Sequence, residues 1–185
     1  QAQGLVAWYP FGVAGGDFVA DQSGRSHLSG ANGGVVLGAD GAPQMFFNGS
    51  SHVLNCTTTP VTAMPLTLAA WGRSNNASLV GTLISVDAGV SSPGSSNFYR
   101  LVVVGSASPK QVRANMGLAS SEVQATYAAG WVAGNDFHTV GVFNSTTDRI
   151  VYYNGGNATS DATSLAAPTV SQVNVGRHSP SSATQ

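Results

Sequence analysis

Charge is what this sequence has least of. Only 8% of its 185 residues are Asp, Glu, Lys or Arg, against roughly 25% in an ordinary soluble domain. Seven basic and eight acidic residues leave a net charge of −1, so no basic field exists to hold nucleic acid or an anionic membrane. There is one glutamate, Glu122, and one lysine, Lys110. A single cysteine, Cys56, excludes an internal disulfide and any zinc site built from cysteine pairs; it reads as a small buried hydrophobe. No apolar run approaches the ~20 residues of a membrane span. The start, Gln1-Ala2-Gln3, has neither a methionine nor a charged n-region, so no targeting signal is read there and the chain looks cut from something longer. Surface polarity must come from Ser, Thr, Asn and Gln. Such a surface suits the outside of a cell or a virion better than the cytosol.

What is present is glycine, 23 of 185 residues or about 12% against a usual ~7%, and an apolar pattern of period two. Leu66, Leu68 and Ala70 share one face while Thr67, Ala69 and Trp71 share the other. Leu5–Tyr9, Tyr99–Val104, Val112–Asn115, Phe137–Phe143, Ile150–Tyr153 and Val173–Val175 are further strand segments. Loop chemistry such as Ser91-Ser92-Pro93-Gly94-Ser95-Ser96 separates them. Asn154-Gly155 predicts a type I′ reversal. Ser120–Ala129 could start as a capped helix, but Val123, Ala125 and Tyr127 alternate with polar residues and predict a strand. With no linker and no repeat, residues 1–185 read as one all-β domain, an antiparallel sandwich or barrel.

Six segments, in order, carry a resemblance. Gly4-Leu-Val-Ala-Trp-Tyr-Pro-Phe11, Val19-Ala-Asp-Gln-Ser-Gly24, Met45-Phe-Phe-Asn-Gly-Ser50 through Val53, Leu66-Thr-Leu-Ala-Ala-Trp71, Asp136-Phe-His-Thr-Val140 through Tyr152-Tyr-Asn-Gly155, and Asn174-Val-Gly-Arg177 span nearly the whole chain. Together they resemble the laminin G-like domains of the concanavalin A-like lectin and glucanase superfamily. The resemblance implies a jelly roll of two packed antiparallel sheets, about 10 Å apart. It also implies that Trp8 and Trp71 are core residues and that His138 is structural.

Two departures from the family pattern matter. Calcium-binding members carry acidic residues on their loops, but Asn48 stands where the pattern has Asp, followed by Ser51 and His52. Calcium takes its affinity from carboxylates, so no cofactor or metal is expected. Asp21, in its Asp-Gln-Ser-Gly turn, reads as an Asx-turn. The family also closes with a strand of the type Gly-x-Ile-Asp-Glu-Val-x-Ile-Tyr after its Ile-Gly segment. The sequence has no such segment after Asn174-Val-Gly-Arg177, so the expectation is a jelly roll without that C-terminal strand in a chain that is part of a longer polypeptide, the alternative being that another segment fills the gap.

Catalytic signatures are absent. The glucanases of this fold use a Glu-x-Asp-x-x-Glu type motif, which one glutamate cannot write, and no Asp-x-Asp pair replaces it. Asp136 and Asp148 read as loop residues. No nucleophile elbow, zincin motif or phosphate loop occurs, and His27, His52, His138 and His178 lack ligand spacing. No catalytic residue is expected; glycoside hydrolysis is a remote alternative. For sugar stacking the candidate is Trp131, which lies outside the matched motifs, with core compensation for Phe137 as its other reading. One tyrosine of the pair 152 and 153 is expected to face outward, and so is one residue of the pair around Tyr99. Asn-x-Ser/Thr sequons stand at Asn48, Asn55, Asn76, Asn144 and Asn157.

The expectation is therefore a non-enzymatic module on an extracellular, cell or virion surface that binds glycans or neighbouring protein subunits. Two classes stay open. A secreted adhesion module is favoured by the sequons, and a phage or virus decoration or tail component by the lone cysteine and missing strand.

Overall fold

The computed structural model describes residues 61–89 and 97–176, with residues 7, 23, 30–32, 36–37, 45–48 and 52–56 before them. The described residues form β1 (Gly30–Asn32), β2 (Val36–Leu37), β3 (Met45–Phe46), β4 (Val53–Cys56), β5 (Leu66–Arg73), β6 (Val80–Asp87), β7 (Phe98–Val104), β8 (Gln111–Leu118), β9 (Ser121–Tyr127), β10 (Asp136–Ser145), β11 (Asp148–Tyr153), β12 (Asn157–Asp161) and β13 (Gln172–Val175). A seven-stranded sheet runs β1-β4-β13-β6-β7-β8-β9, a four-stranded sheet runs β12-β11-β10-β5, and β2 pairs with β3. Every pairing is antiparallel. No helix among the described residues is long and apolar enough to cross a membrane. The architecture is the expected all-β antiparallel sandwich.

Period-two patterning produces it. Along β5 the buried positions Leu66 and Leu68 alternate with exposed Thr67 and Ala69, so one face of the four-stranded sheet turns inward. Phe137, Phe143 and Val151 join that face. The inner face of the larger sheet meets it with Tyr99, Leu101, Val112, Ala114 and Met116, and the Tyr99 ring stands edge-on to Phe143 at 5.2 Å. Each such buried side chain contributes about 1.5–3 kcal/mol. The sheets approach closely at Gly141, where a Cβ would lie 2.7 Å from Leu101 Cδ2 and 3.1 Å from the Ala114 Cβ.

Residues 121–127 illustrate how tertiary packing decides the local structure. Val123, Ala125 and Tyr127 sit opposite Met116, Ala114 and Val112 on the core face. A helix could not align those three on one sheet, and the strand expectation holds. The Asn154-Gly155 reversal also holds, with φ of 48° and 81°, the double positive φ of a type I′ turn. The expected strand at Leu5–Tyr9, including Trp8, and the turn at Asp21 lie outside the described residues.

One element of the core is charged. Arg149 on β11 is fully buried and paired with Asp161, its register partner on β12. Its Nη2 donates to the carbonyl oxygens of Thr146 at 3.0 Å and Thr163 at 2.7 Å. Burial pushes the guanidinium down from its usual value. These contacts fasten the chain after β12 to the β10–β11 hairpin.

Candidate functional site

Each sheet has an outer face, and the two differ in kind. On the seven-stranded sheet the residues pointing away from the core include one long polar row, with Phe98, Val102 and Val104 buried on the same side. One register row reads Asn55, Asn174, Ser85, Arg100, Asn115 and Gln124 across six strands. The Asp87 carboxylate gathers one end: it accepts from Ser85 Oγ at 2.7 Å, Asn174 Nδ2 at 2.8 Å, Gln172 Nε2 at 3.0 Å and the Gly89 N–H at 3.0 Å. Asn55 Nδ2 extends the chain by donating to Asn174 Oδ1 at 2.7 Å. At the other end Glu122 accepts from Arg100 Nη2 at 3.0 and 3.1 Å and from Asn115 Nδ2. The Arg100 guanidinium lies 4.4 Å over the Phe98 ring, and that ring covers Gly117, where a Cβ would collide with it. Arg100 Nε, Asn115 Oδ1 and Thr126 Oγ1 on this face are buried without a hydrogen-bond partner.

Despite facing outward, Ser85, Asp87, Asn115 and Asn174 are at most 2% exposed. Buried polar groups are retained when they are hydrogen-bonded to one another, which is how this row is built. Its geometry does not suit two-carboxylate hydrolysis. Asp87 and Glu122 share a row through Phe98 and Gly117, so they stand three strand spacings, about 14 Å, apart. Glycosidase pairs need about 5–9.5 Å.

The outer face of the four-stranded sheet carries the opposite feature. Trp71 on β5 is 75% exposed. It sits opposite His138 on β10, and the two rings touch with centroids 4.8 Å apart and planes tilted by 35°. His138 is held by its backbone: its N–H donates to Asn154 Oδ1 at 2.8 Å, and its carbonyl accepts the Asn154 N–H at 2.8 Å. The type I′ turn thus braces the imidazole beside the indole. On the next outward rung Arg73 faces Asp136, with Arg73 Nε to Oδ1 at 2.8 Å and Nη2 to Oδ2 at 3.0 Å. The hydrogen bond from Arg73, with its charge, holds the Asp136 carboxyl below its usual value even though desolvation opposes the shift. On the other side of the aromatic pair the face continues as Ala69, Val140 and Tyr152.

The indole thus presents an apolar ring to solvent beside the Arg73–Asp136 ion pair. The pattern that would have found it was in the sequence. Trp71 belongs to the outward set Thr67, Ala69 and Trp71, and the family resemblance, which implies a core role, misassigns it. The alternation is right because Leu66 and Leu68 take the inward positions. Trp131, the sequence candidate for stacking, is corrected in the other direction. It is 2% exposed, 6.1 Å from Phe137, with Lys110 Nζ 5.6 Å over its ring, so it has no free face to offer a ligand. Tyr99 is fully buried as well, and burial pushes its hydroxyl up to about 12. Of the tyrosine pair, Tyr153 turns inward between Tyr127 and Phe137 at 6.0 and 6.3 Å, and Tyr152 takes the outer face.

Asp136 and Asp148 begin strands β10 and β11 rather than lying in loops, and Asp148 accepts from Asn144 Nδ2 at 2.8 Å. Cys56 is a buried core thiol. Among the sequons, Asn48, Asn76, Asn144 and Asn157 are exposed and Asn55 is half-buried within the polar row. Asn48 Oδ1 accepts the His52 N–H at 3.1 Å, and residues 49–51 between them lie outside the described residues. Among the described residues, no cluster of three or more His, Cys, Asp or Glu could hold a metal.

No protein-family model and no curated protein matches the chain. Solved structures do. The chain is similar to the LG4-5 domains of the mouse laminin α1 chain, with a TM-score of 0.53 at 13% identity over 83% of this chain and 35% of that one. It is similar to the binding domain of botulinum neurotoxin serotype D/C, with a TM-score of 0.61 at 14% identity over 90% of this chain and 42% of the other. It also resembles the binding domain of botulinum neurotoxin DC in complex with SialylT, at a TM-score of 0.57 and 14% identity over 85% and 40% of the two chains. The chain thus spans about two-fifths of the length of these structures. At such identities the likeness is one of fold: the chain has the laminin G-like, concanavalin A-like fold.

Proposed function

We propose that the chain is a non-enzymatic recognition module, displayed outside a cell or on a virion, that binds glycans through the outer face of its four-stranded sheet. The observation that carries this reading is Trp71, 75% exposed and in tilted ring contact with His138, with an ion pair on the neighbouring rung. Leaving an indole in water forfeits the burial it would gain elsewhere, so an ordered, braced and exposed tryptophan is best explained by a ligand that covers it. A pyranose offers an apolar C–H face to the ring and hydroxyls to the flanking polar groups. The structural neighbours described as binding domains support recognition, and the wide separation of Asp87 from Glu122 counts against hydrolysis.

The test is titration of the chain with an immobilised glycan array, followed by nuclear magnetic resonance of the Trp71 indole N–H. Sugars that bind should move that resonance, and Trp71→Ala should remove binding while the remaining spectrum stays folded. An array with no binder would end the reading.

A second reading rests on the apolar continuation Ala69, Val140 and Tyr152. A neighbouring subunit of a surface assembly, as in a phage or virus decoration or tail protein, would cover the same face. In that case the chain self-associates or loads onto particles, and Trp71→Ala shifts sedimentation to the monomer without any sugar present.

A further inference from the structure

The rung beside Trp71 says which sugars the platform takes. Successive residues on one face of a strand are about 7 Å apart, close to the width of a pyranose with its hydroxyls. A ring centred on Trp71 therefore reaches the Arg73–Asp136 pair with its edge. That pair is not a spare cation. Arg73 turns its Nε and Nη2, the edge that would grip a ligand carboxylate through two parallel hydrogen bonds, onto the two oxygens of Asp136. Asp136 is the more exposed partner, with 59% of its side chain open against 36% for Arg73. The ligand edge therefore meets a carboxylate first, with the guanidinium behind it. Carboxylate oxygens accept from sugar hydroxyls, whereas a uronate, sialate or sulfate would meet like charge and find the matching cation already engaged. Among the described residues, the face beside this pair and the aromatic rings continues with uncharged groups: Ala69, Val140, Tyr152 and the amide of Asn154.

We infer that the Trp71 platform selects neutral pyranoses carrying a vicinal diol, with the ring on Trp71 and the diol on the Asp136–Arg73 pair, and discriminates against acidic sugars. The inference rests on the glycan reading above and narrows it. It also departs from any simple transfer from the neighbour solved with SialylT, whose ligand need not suit this chain.

Matched probes test it: lactose against 3′-sialyllactose, and tetragalactose against tetragalacturonate, each titrated into the full chain at low salt and followed at the Trp71 indole resonance. The expected result is saturable shifts with the neutral members and at least threefold weaker binding of the acidic ones, with that gap shrinking as salt screens the Asp136 charge. Asp136→Asn, which keeps the fold and one acceptor, should weaken neutral binding by about fivefold and narrow the difference between the pair members. Trp71→Ala should abolish both. If the acidic members bind as tightly or more tightly in a Trp71-dependent way, the neutral-sugar inference is overturned and the glycan reading stands. If no probe moves the Trp71 resonance, both fall.

Discussion

The outer faces of the two sheets solve the same problem in opposite ways. Each is the side of a strand that the period-two pattern assigns to solvent. On the seven-stranded sheet, that side carries a row of Asn, Ser, Asp, Arg and Gln hydrogen-bonded to one another, beside buried Phe98, Val102 and Val104, and Asp87 and Asn174 are 1% and 2% exposed. On the four-stranded sheet it carries an indole that is 75% exposed. A polar row can satisfy most of its own groups across strands, as Asp87 with Asn174 and Glu122 with Asn115 do here, although Asn115 Oδ1 and Arg100 Nε stay unpaired. An aromatic ring has no such way to complete itself except by burial. The first face therefore reads as structure, and the second leaves an apolar ring in water, which is what the proposed recognition role rests on.

The largest expected effect follows from the first face. Asp87→Ala removes the acceptor for Ser85, Asn174, Gln172 and the Gly89 N–H together. Leaving several buried donors unsatisfied costs about 3 kcal/mol, measurable as a fall in the urea midpoint. Had that row been a ligand site held open by the fold, the loss would be small and would instead appear on ligand addition.

Between the sheets, Tyr99 provides an intermediate effect of opposite sign. Its hydroxyl is buried with no partner, so Tyr99→Phe should raise stability by about 1 kcal/mol at pH 7. Its folded-state value is raised to about 12 by burial, whereas an unfolded tyrosine ionises near pH ~10. A raised value contributes stability fully present below pH ~10 and lost as pH climbs toward 12. The unsubstituted chain should therefore lose stability across that window faster than Tyr99→Phe does. Parallel alkaline denaturation curves would break the link between burial and titration.

The open face should respond very differently. Trp71→Ala removes a ring contact with His138 and little else, so its cost should be about 0.5 kcal/mol, several times less than that of Asp87→Ala. A loss as large as the Asp87 effect would mean that Trp71 is structural, and the contrast between the faces would collapse.

The comparison also separates what could be read from residues alone. Strands β5, β7, β8, β10 and β11 were legible because their apolar positions alternate, and β9 because Val123, Ala125 and Tyr127 do the same. The Asn154-Gly155 turn was legible because few other dipeptides accept two positive φ angles. The platform was half legible. Alternation puts Trp71 outward, but nothing local shows that His138 and the Asn154 turn arrive beside it from 67 and 83 residues further along the chain. The polar row was not legible at all. Asn55, Ser85, Asp87, Arg100, Asn115 and Asn174 look like scattered surface residues until antiparallel register places them in line. Trp131 misled for the same reason: its burial depends on Phe137 and Lys110, which only the folded loop brings together.

The smallest expected effect lies at the rim of the platform and depends on pH. Asp136 is exposed, and its hydrogen bond from Arg73 holds its carboxyl below the usual value. A depressed folded-state value contributes stability that is present above the unfolded value, pH ~4 for aspartate, and is lost as pH falls through the folded one. Asp136→Asn should therefore melt slightly below the unsubstituted chain at pH 6 and converge with it by pH 2, with the gap at pH 6 shrinking in high salt. In the same titration the neutral-sugar affinity should hold past the ordinary aspartate value of pH ~4, because the Arg73 hydrogen bond keeps the carboxylate ionised there, and fall only at lower pH. A melting difference that persists at pH 2 would show that Asp136 acts through shape rather than charge, and would remove the electrostatic part of the distinction between the two faces.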